Sequence, residues 1–518
     1  MNIRHLTGRS GISRIMFTSL IVLILSVLAI SVTAQDDGGT LIVGLPSVET
    51  LDPALGTNDP EVLFNGQIYD RLIDVLPDGT LAPNLAQDWT ISEDGLTYTF
   101  NLVEGVTFHD GSPFTAADVV FTFNRLVELE SSAVGLLGEF TVEAIDDTTV
   151  QFVVPQINAD FLYGIASRFA SILKDGTTEP NVIAEGDAPY ANFNGTGPFV
   201  LSDYSPGESA IFTANENYWI EGQPTLDAVE FLFIGDSQAR VDALSSGVVD
   251  FIFKITSSEL ATLGGQDGIV ITQQATNQHP LVRIRADEGA LGEDPRILQA
   301  FRLTTNRQEL LDVVQEGLGV VGNNNPLGPK YGDFYVDVSE DVYDPEAACA
   351  LILEATGEER ISSDFYVSLD FANYGDLGLA LRDQWSQGCI DVEVIERDPG
   401  IYYGDGEWLE VDLGITGWGD RPVPSYFVEA FIEGAPFNET HFADEEVASL
   451  VAQANQTVDT ATRRDLYTQI AEIFEERGPV IVPWFSSVVG AYSDNVEGLV
   501  MAPFPGSTDF RTVSVTTD

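Results

Sequence analysis

"DGTLAPNLAQDWTISEDGLTYTFNLVEGVTFHDGSPFTAADVVFTFNRL", residues 78–126, contains a strand and a helix that can be read from residue types alone. In "TYTFNLV" the apolar Tyr98, Phe100 and Leu102 alternate with Thr97, Thr99 and Asn101, the period-2 pattern of a strand that buries one face. In "TAADVVFTFNRL" Thr115 stands before the helical run and Asp118 follows three residues later, a near capping box that predicts a helix after the strand. Outward from this block the chain keeps alternating short strands and amphipathic helices, without a repeat. "EDPRILQAFRL" starts a helix with Asp294 as cap and Pro295 at the first helical position. Near the C-terminus, Val447, Leu450, Val451 and Ala454 form one helical stripe. Leu466, Ile470, Ile473 and Phe474 form a second, closed by Gly478-Pro479, and "VIVPWF" reads as a buried strand. The class is mixed α/β, with loops rich in Gly, Pro and Asn.

The first residues read as an export signal rather than as fold. Arg4, Arg9 and Arg14 give a basic start, Ile15 to Ile30 an apolar run, and Val32-Thr33-Ala34 a small-residue cleavage site. No cysteine follows the run to carry a lipid, and no twin-arginine pair precedes it. Removing residues 1–34 takes away three arginines and no acid, so the formal charge moves from −58 to −61. Nucleic acid and anionic membrane surfaces are therefore not expected partners. Acids are scattered along the whole chain, whereas only three lysines occur, Lys174, Lys254 and Lys330. The remaining length is too great for one ordinary core, so two or three lobes are expected.

A search for catalytic machinery finds none. No G-x-S-x-G elbow occurs, and "GDSQA" at Gly235 is a turn before a helix. His109, His279 and His441 are far apart and in no metal-ligating spacing, so no metal or cofactor is expected. "GLGVVG", Gly317 to Gly322, matches G-x-G-x-x-G, but it follows a helix and runs into "NNNP", the wrong context for a dinucleotide. Acidic pairs are so plentiful that a glycosidase pair carries no information. Cys349 and Cys389 permit one disulfide in an exported chain. Closing a loop of roughly 40 residues would stabilise the fold by about 4 kcal/mol.

Five segments in order resemble the large extracytoplasmic solute-binding proteins of peptide-importing ABC transporters, the dipeptide, oligopeptide and nickel group. They are "LDPALGTNDP" at Leu51, "IYDRLI" at Ile68 with the block 78–126, "GTGPFVLSDYSPGE" at Gly195, "NENYW" at Asn215, and "RDLYTQIAEIFEERGPVIVPWF" from Arg464 to Phe485. The resemblance implies a periplasmic-binding-protein-like (Venus flytrap) α/β fold of two lobes with an inserted subdomain and the ligand cleft between the lobes. By position, the first lobe takes 35–74, 195–283 and 486–518, the insert 75–194 and the second lobe 284–485, with the hinge near Arg283 and Phe485. The implied function is capture of a short peptide outside the cell, at the periplasm or cell surface, by a monomer that delivers it to membrane permease subunits. Oligosaccharides, opines and metal chelates are alternative solutes within the family, and a secreted hydrolase is the rival from another class.

The resemblance also points to "TGWGDRPVPSYF". In oligopeptide-binding relatives an aspartate in a Trp-rich segment near the hinge pairs with the peptide's α-ammonium, and Asp420 stands at that place, with Trp418 as an apolar wall. Relatives commonly have one more residue between tryptophan and aspartate, and often an aromatic residue where Arg421 stands. Two roles for Arg421 stay open: neutralising Asp420, or holding a ligand carboxylate through its planar fork. Asn277, Gln278 and His279 in "NQHPLV" lie where relatives line the cleft, and Asn373 and Tyr374 in "FANYGD" form a second candidate rim.

Overall fold

The computed structural model describes residues 38–516, apart from 185, 187, 340–341, 370–372 and 405. The expected export signal, 1–34, and Phe371 of the second rim lie outside the described residues.

Three sheets organise the chain. The largest has eight strands. Its central strand, Thr40–Leu45, runs parallel to both neighbours, Ala228–Phe233 and Phe251–Phe253. Trp484–Ser493, from the far end of the sequence, pairs antiparallel with Phe251–Phe253 on one edge and Ile269–Ala275 on the other. The second sheet has five strands, in the order Ile390–Arg397, Ile361–Ser368, Leu413–Trp418, His279–Ile284 and Val480–Ile481. Each sheet has its own apolar core, which makes the fold two-lobed. The third sheet is an antiparallel four-stranded one within residues 86–153.

That third sheet is where the block 78–126 folds. Tyr98, Phe100 and Leu102 point into its core while Thr97, Thr99 and Asn101 stay half-exposed, as alternation requires. Helix Ala116–Glu128 covers the sheet, opened by a capping box in which the Thr115 N–H donates to Asp118 Oδ2 at 2.7 Å. Phe123 from this helix meets the Phe152 ring edge-on, with centroids 4.9 Å apart. Burying each such side chain stabilises the core by roughly 1.5–3 kcal/mol.

The chain passes between the lobes at 276–278 and at 482–483, where one strand ends and a strand of the other sheet begins. The first crossing thus lies upstream of the expected Arg283, which stands inside the second sheet. "VIVPWF" is not one strand but two, Val480–Ile481 in the second sheet and the start of Trp484–Ser493 in the first, separated around Pro483. The two crossings are tied together: the Thr276 N–H donates to Ser486 O and the Ser486 N–H to Gln278 O. "GLGVVG" packs against this pair. A Cβ at Gly322 would sit 1.9 Å from Val482 O and one at Gly319 2.6 Å from Phe485 O, so those glycines permit close backbone approach.

In the second lobe, helices Glu445–Asn455 and Thr460–Arg477 bury both predicted stripes. Cys349, in helix Pro345–Thr356, is bonded to Cys389, which leads into strand Ile390–Arg397.

Three of the motif segments meet at one buried carboxylate. Asp70, from "IYDRLI", accepts from Thr196 Oγ1, Tyr218 OH and Trp219 Nε1, each at 3.1 Å. Burial pushes its pKa up to about 6, while nearby Arg511 and these hydrogen bonds pull the other way.

Candidate functional site

Strand Leu413–Trp418 pairs antiparallel with His279–Ile284, in a register that sets Trp418 opposite His279. Gly419 and Pro422 bracket the residues after it, and Asp420 emerges at the strand's end beside the first crossing. There the Asn277 N–H donates to Asp420 Oδ1 at 2.9 Å, and the Lys330 ammonium donates to Oδ2. Lys330 lies in the short helical turn Pro329–Phe334, and both ends of this pair remain partly exposed.

The pair opens into a cleft of about 520 Å³ between the lobes. A volume between roughly 300 and 1,000 Å³ is usual for small-molecule sites. One wall comes from the second lobe, with Lys330, Tyr331, Asp420 and Arg421. The other comes from residues 71–79, from Tyr163–Phe169 beside the inserted sheet, and from Ala502–Ser507 near the C-terminus. On that side the Arg168 guanidinium carbon lies 4.3 Å from the Phe504 ring centroid and 5.0 Å from that of Phe169. Its buried Nε has no hydrogen-bond partner, and no described carboxylate forms an ion pair with it. Burial lowers its pKa, opposed by the charges of Asp59 and Asp420.

The two walls also touch beside the cleft. Arg463 Nη2 donates to Asp160 Oδ1 at 2.5 Å, and Ser425 Oγ donates to Asp160 Oδ2 at 2.5 Å. Asp160 precedes the short helix Phe161–Ile165, so this contact sets the wall carrying Arg168 against the second lobe.

The expected site residues divide sharply. Asp420 and Arg421 line the cleft. Arg421 does not neutralise its neighbour: its Nη1 donates to the Asp420 carbonyl at 3.3 Å, and Lys330 is the cation on the carboxylate. Asn277 acts through its backbone N–H, and Gln278 through the carbonyl that ties the crossings. His279 is buried between the rings of Phe427 and Phe485. Burial brings its pKa down to about 4, so it is neutral at pH 7 and donates from Nδ1 to Asn277 O at 2.7 Å. Trp418 is not a cleft wall. Its ring packs on Phe427 and Phe431, and its Nε1 donates to Glu439 Oε1 at 2.8 Å, a buried carboxylate that also faces Arg283 and Thr416. Asn373 and Tyr374 start helix Tyr374–Gln387 away from the cleft; Asn373 donates to Gln315 and the Tyr374 ring joins the second lobe's core.

Lys330 and Arg168 were not anticipated as site residues. The signal available for Lys330 was rarity, since it is one of three lysines. Arg168 offers no signal of that kind, because its lack of an acidic partner exists only in three dimensions. Among the described residues, no group of three or more His, Cys, Asp or Glu gathers to hold a metal.

Known proteins resemble the chain over most of its length. The chain is 27% identical over 526 residues to a dipeptide-binding protein of Escherichia coli, covering 95% of this chain and 97% of that one. It is 26% identical over 480 residues to heme-binding protein A of Haemophilus influenzae, covering 87% of each. The solved structure of HbpA2 from Haemophilus parasuis shares the fold, with a TM-score of 0.81 at 24% identity over 92% of this chain and all of that one. Residues 80–439 match the middle region of one family, which spans more than half of the chain, and the chain belongs to the bacterial extracellular solute-binding proteins, family 5.

Proposed function

We propose that the cleft encloses a short peptide, with the α-ammonium on Asp420 and the terminal carboxylate in the fork of Arg421. One observation carries this reading: Asp420 keeps one oxygen on a fixed backbone N–H and turns the other toward the cleft, onto an ammonium that belongs to a side chain. A peptide ammonium entering the cleft would take the place of Lys330 Nζ. An enclosed ammonium loses its water and needs a carboxylate partner, and among the described residues Asp420 is the one acid lining the cleft. The family membership and the dipeptide-binding relative support the same reading.

In this reading the chain works outside the cytoplasm as the solute-binding component of an ABC importer. The two lobes, which meet at the crossings 276–278 and 482–483, close about those crossings and present the loaded form to permease subunits. The protein acts as a monomer and catalyses no reaction. Titration calorimetry with free and N-acetylated tripeptides tests it. Free peptides should bind far more tightly than acetylated ones, whereas equal affinity for the two would remove Asp420 from the ammonium role. Turnover of an offered polymer would favour the hydrolase instead.

A further inference from the structure

In a chain with 81 Asp and Glu against 23 Lys and Arg, the charges of the cleft are inverted: Arg71, Arg168, Lys330 and Arg421 line it, against Asp420 alone. Two of the four have no carboxylate of their own. Arg421 holds only a neighbouring carbonyl, and Arg168 is held in place by the faces of Phe169 and Phe504. Arg71 approaches Asp74 at 3.4 Å, but Asp74 is also bound by Arg511.

On the peptide reading above, we infer that the preferred solutes are acidic peptides, in which an Asp or Glu side chain is received by Arg168. A peptide with neutral side chains is a zwitterion and adds no net charge. Its ammonium balances Asp420 by releasing the flexible, partly exposed Lys330, and its terminal carboxylate engages Arg421, which leaves both Lys330 and the ring-held Arg168 without an anion. A second carboxylate supplies that anion and accepts from a planar fork whose aromatic flanks already restrict it, so little ordering is left to the moment of binding. The Arg168 Nε is sealed from solvent and has no partner in the protein, so the terminal nitrogens are the donors that face a solute.

The test compares isosteric tripeptides by calorimetry on the full-length protein: Glu-Ala-Ala, Ala-Glu-Ala and Ala-Ala-Glu, each against its Gln counterpart. At one position or more the Glu peptide should bind about tenfold tighter or better, a difference of about 1.4 kcal/mol. Arg168→Gln should abolish that ratio. The wild-type ratio alone decides if the variant does not fold. Equal affinities within all three pairs would overturn the inference and leave the peptide reading standing. If no peptide binds but citrate binds in an Arg168-dependent way, the anion-selective cleft stands and the peptide reading falls. Failure of both peptides and citrate to bind would overturn both.

Discussion

Asp70 and Asp420 are both carboxylates with a cation near them, and they are used in opposite ways. Asp70 is 5% exposed and receives three neutral donors, from residues 126, 148 and 149 positions away, all fixed by the fold. Asp420 is partly exposed and receives one fixed N–H and one flexible lysine. Asp70 has nothing left to offer a ligand. On the peptide reading, Asp420 has an oxygen whose partner can be exchanged. Replaceability of the partner, more than the carboxylate itself, separates a strut from a site.

The sharpest way to break this comparison is Asp70→Ala, which strands two buried donors, Thr196 and Tyr218, and the half-buried Trp219. At roughly 1–3 kcal/mol per unsatisfied group, the loss in stability should be about 4 kcal/mol or more, read by urea unfolding. A change below about 1 kcal/mol would show that the cluster is not a strut.

Next in size is a pH effect. The folded-state pKa of Asp70 is raised from 3.8 to about 6, so its contribution to stability is fully present below about pH 4 and is lost as pH rises through 6. At 1.36 kcal/mol per unit that is about 3 kcal/mol. Asp70→Asn removes the titration. The stability of the wild type relative to this variant should therefore fall between pH 4 and pH 7, and a constant difference would contradict the raised pKa.

Asp420→Asn should leave the melting temperature nearly unchanged but weaken free peptides about 30-fold, roughly 2 kcal/mol, with little effect on acetylated ones. The smallest effect is expected from Lys330→Met. Removing the competing ammonium should tighten peptides with neutral side chains several-fold, about 1 kcal/mol or less for a partly exposed pair. If binding stays the same and melting falls, Lys330 is a fixed partner and Asp420 belongs with Asp70.

Local order was legible in the sequence because it depends on spacing. The strand around Phe100, the box at Thr115 and Asp118, and the stripes of the last two helices all formed where periodicity placed them. What spacing could not reveal was convergence: "IYDRLI", "GTGP" and "NENYW" are separate motifs in the chain and one hydrogen-bonded cluster in space. In the site, Asp420 and Arg421 were reached through the resemblance to relatives, and both line the cleft. Trp418 and His279 misled because an aromatic or imidazole side chain on a strand looks the same whether it faces a cleft or a core. Their burial is decided by Phe427, Phe431 and Phe485, which arrive from other elements. Pro483 was visible, but its effect on "VIVPWF" needed the knowledge that two sheets compete for that strand.

The eight-stranded sheet has a consequence for how the molecule is made. Its central strand comes from the start of the described chain, while the strand completing its far side comes from 484–493. Residues beyond it close over the N-terminal segments: the Gly506 N–H donates to Asp59 and Arg511 pairs with Asp74. A ribosome delivers these partners more than 400 residues apart. The first lobe has no complete set of contacts until these distant segments meet, and such long-range pairings carry their loop-closure entropy before any of them is rewarded. Cutting away the residues after Ser493 should therefore leave a chain that is synthesised yet never becomes protease-resistant.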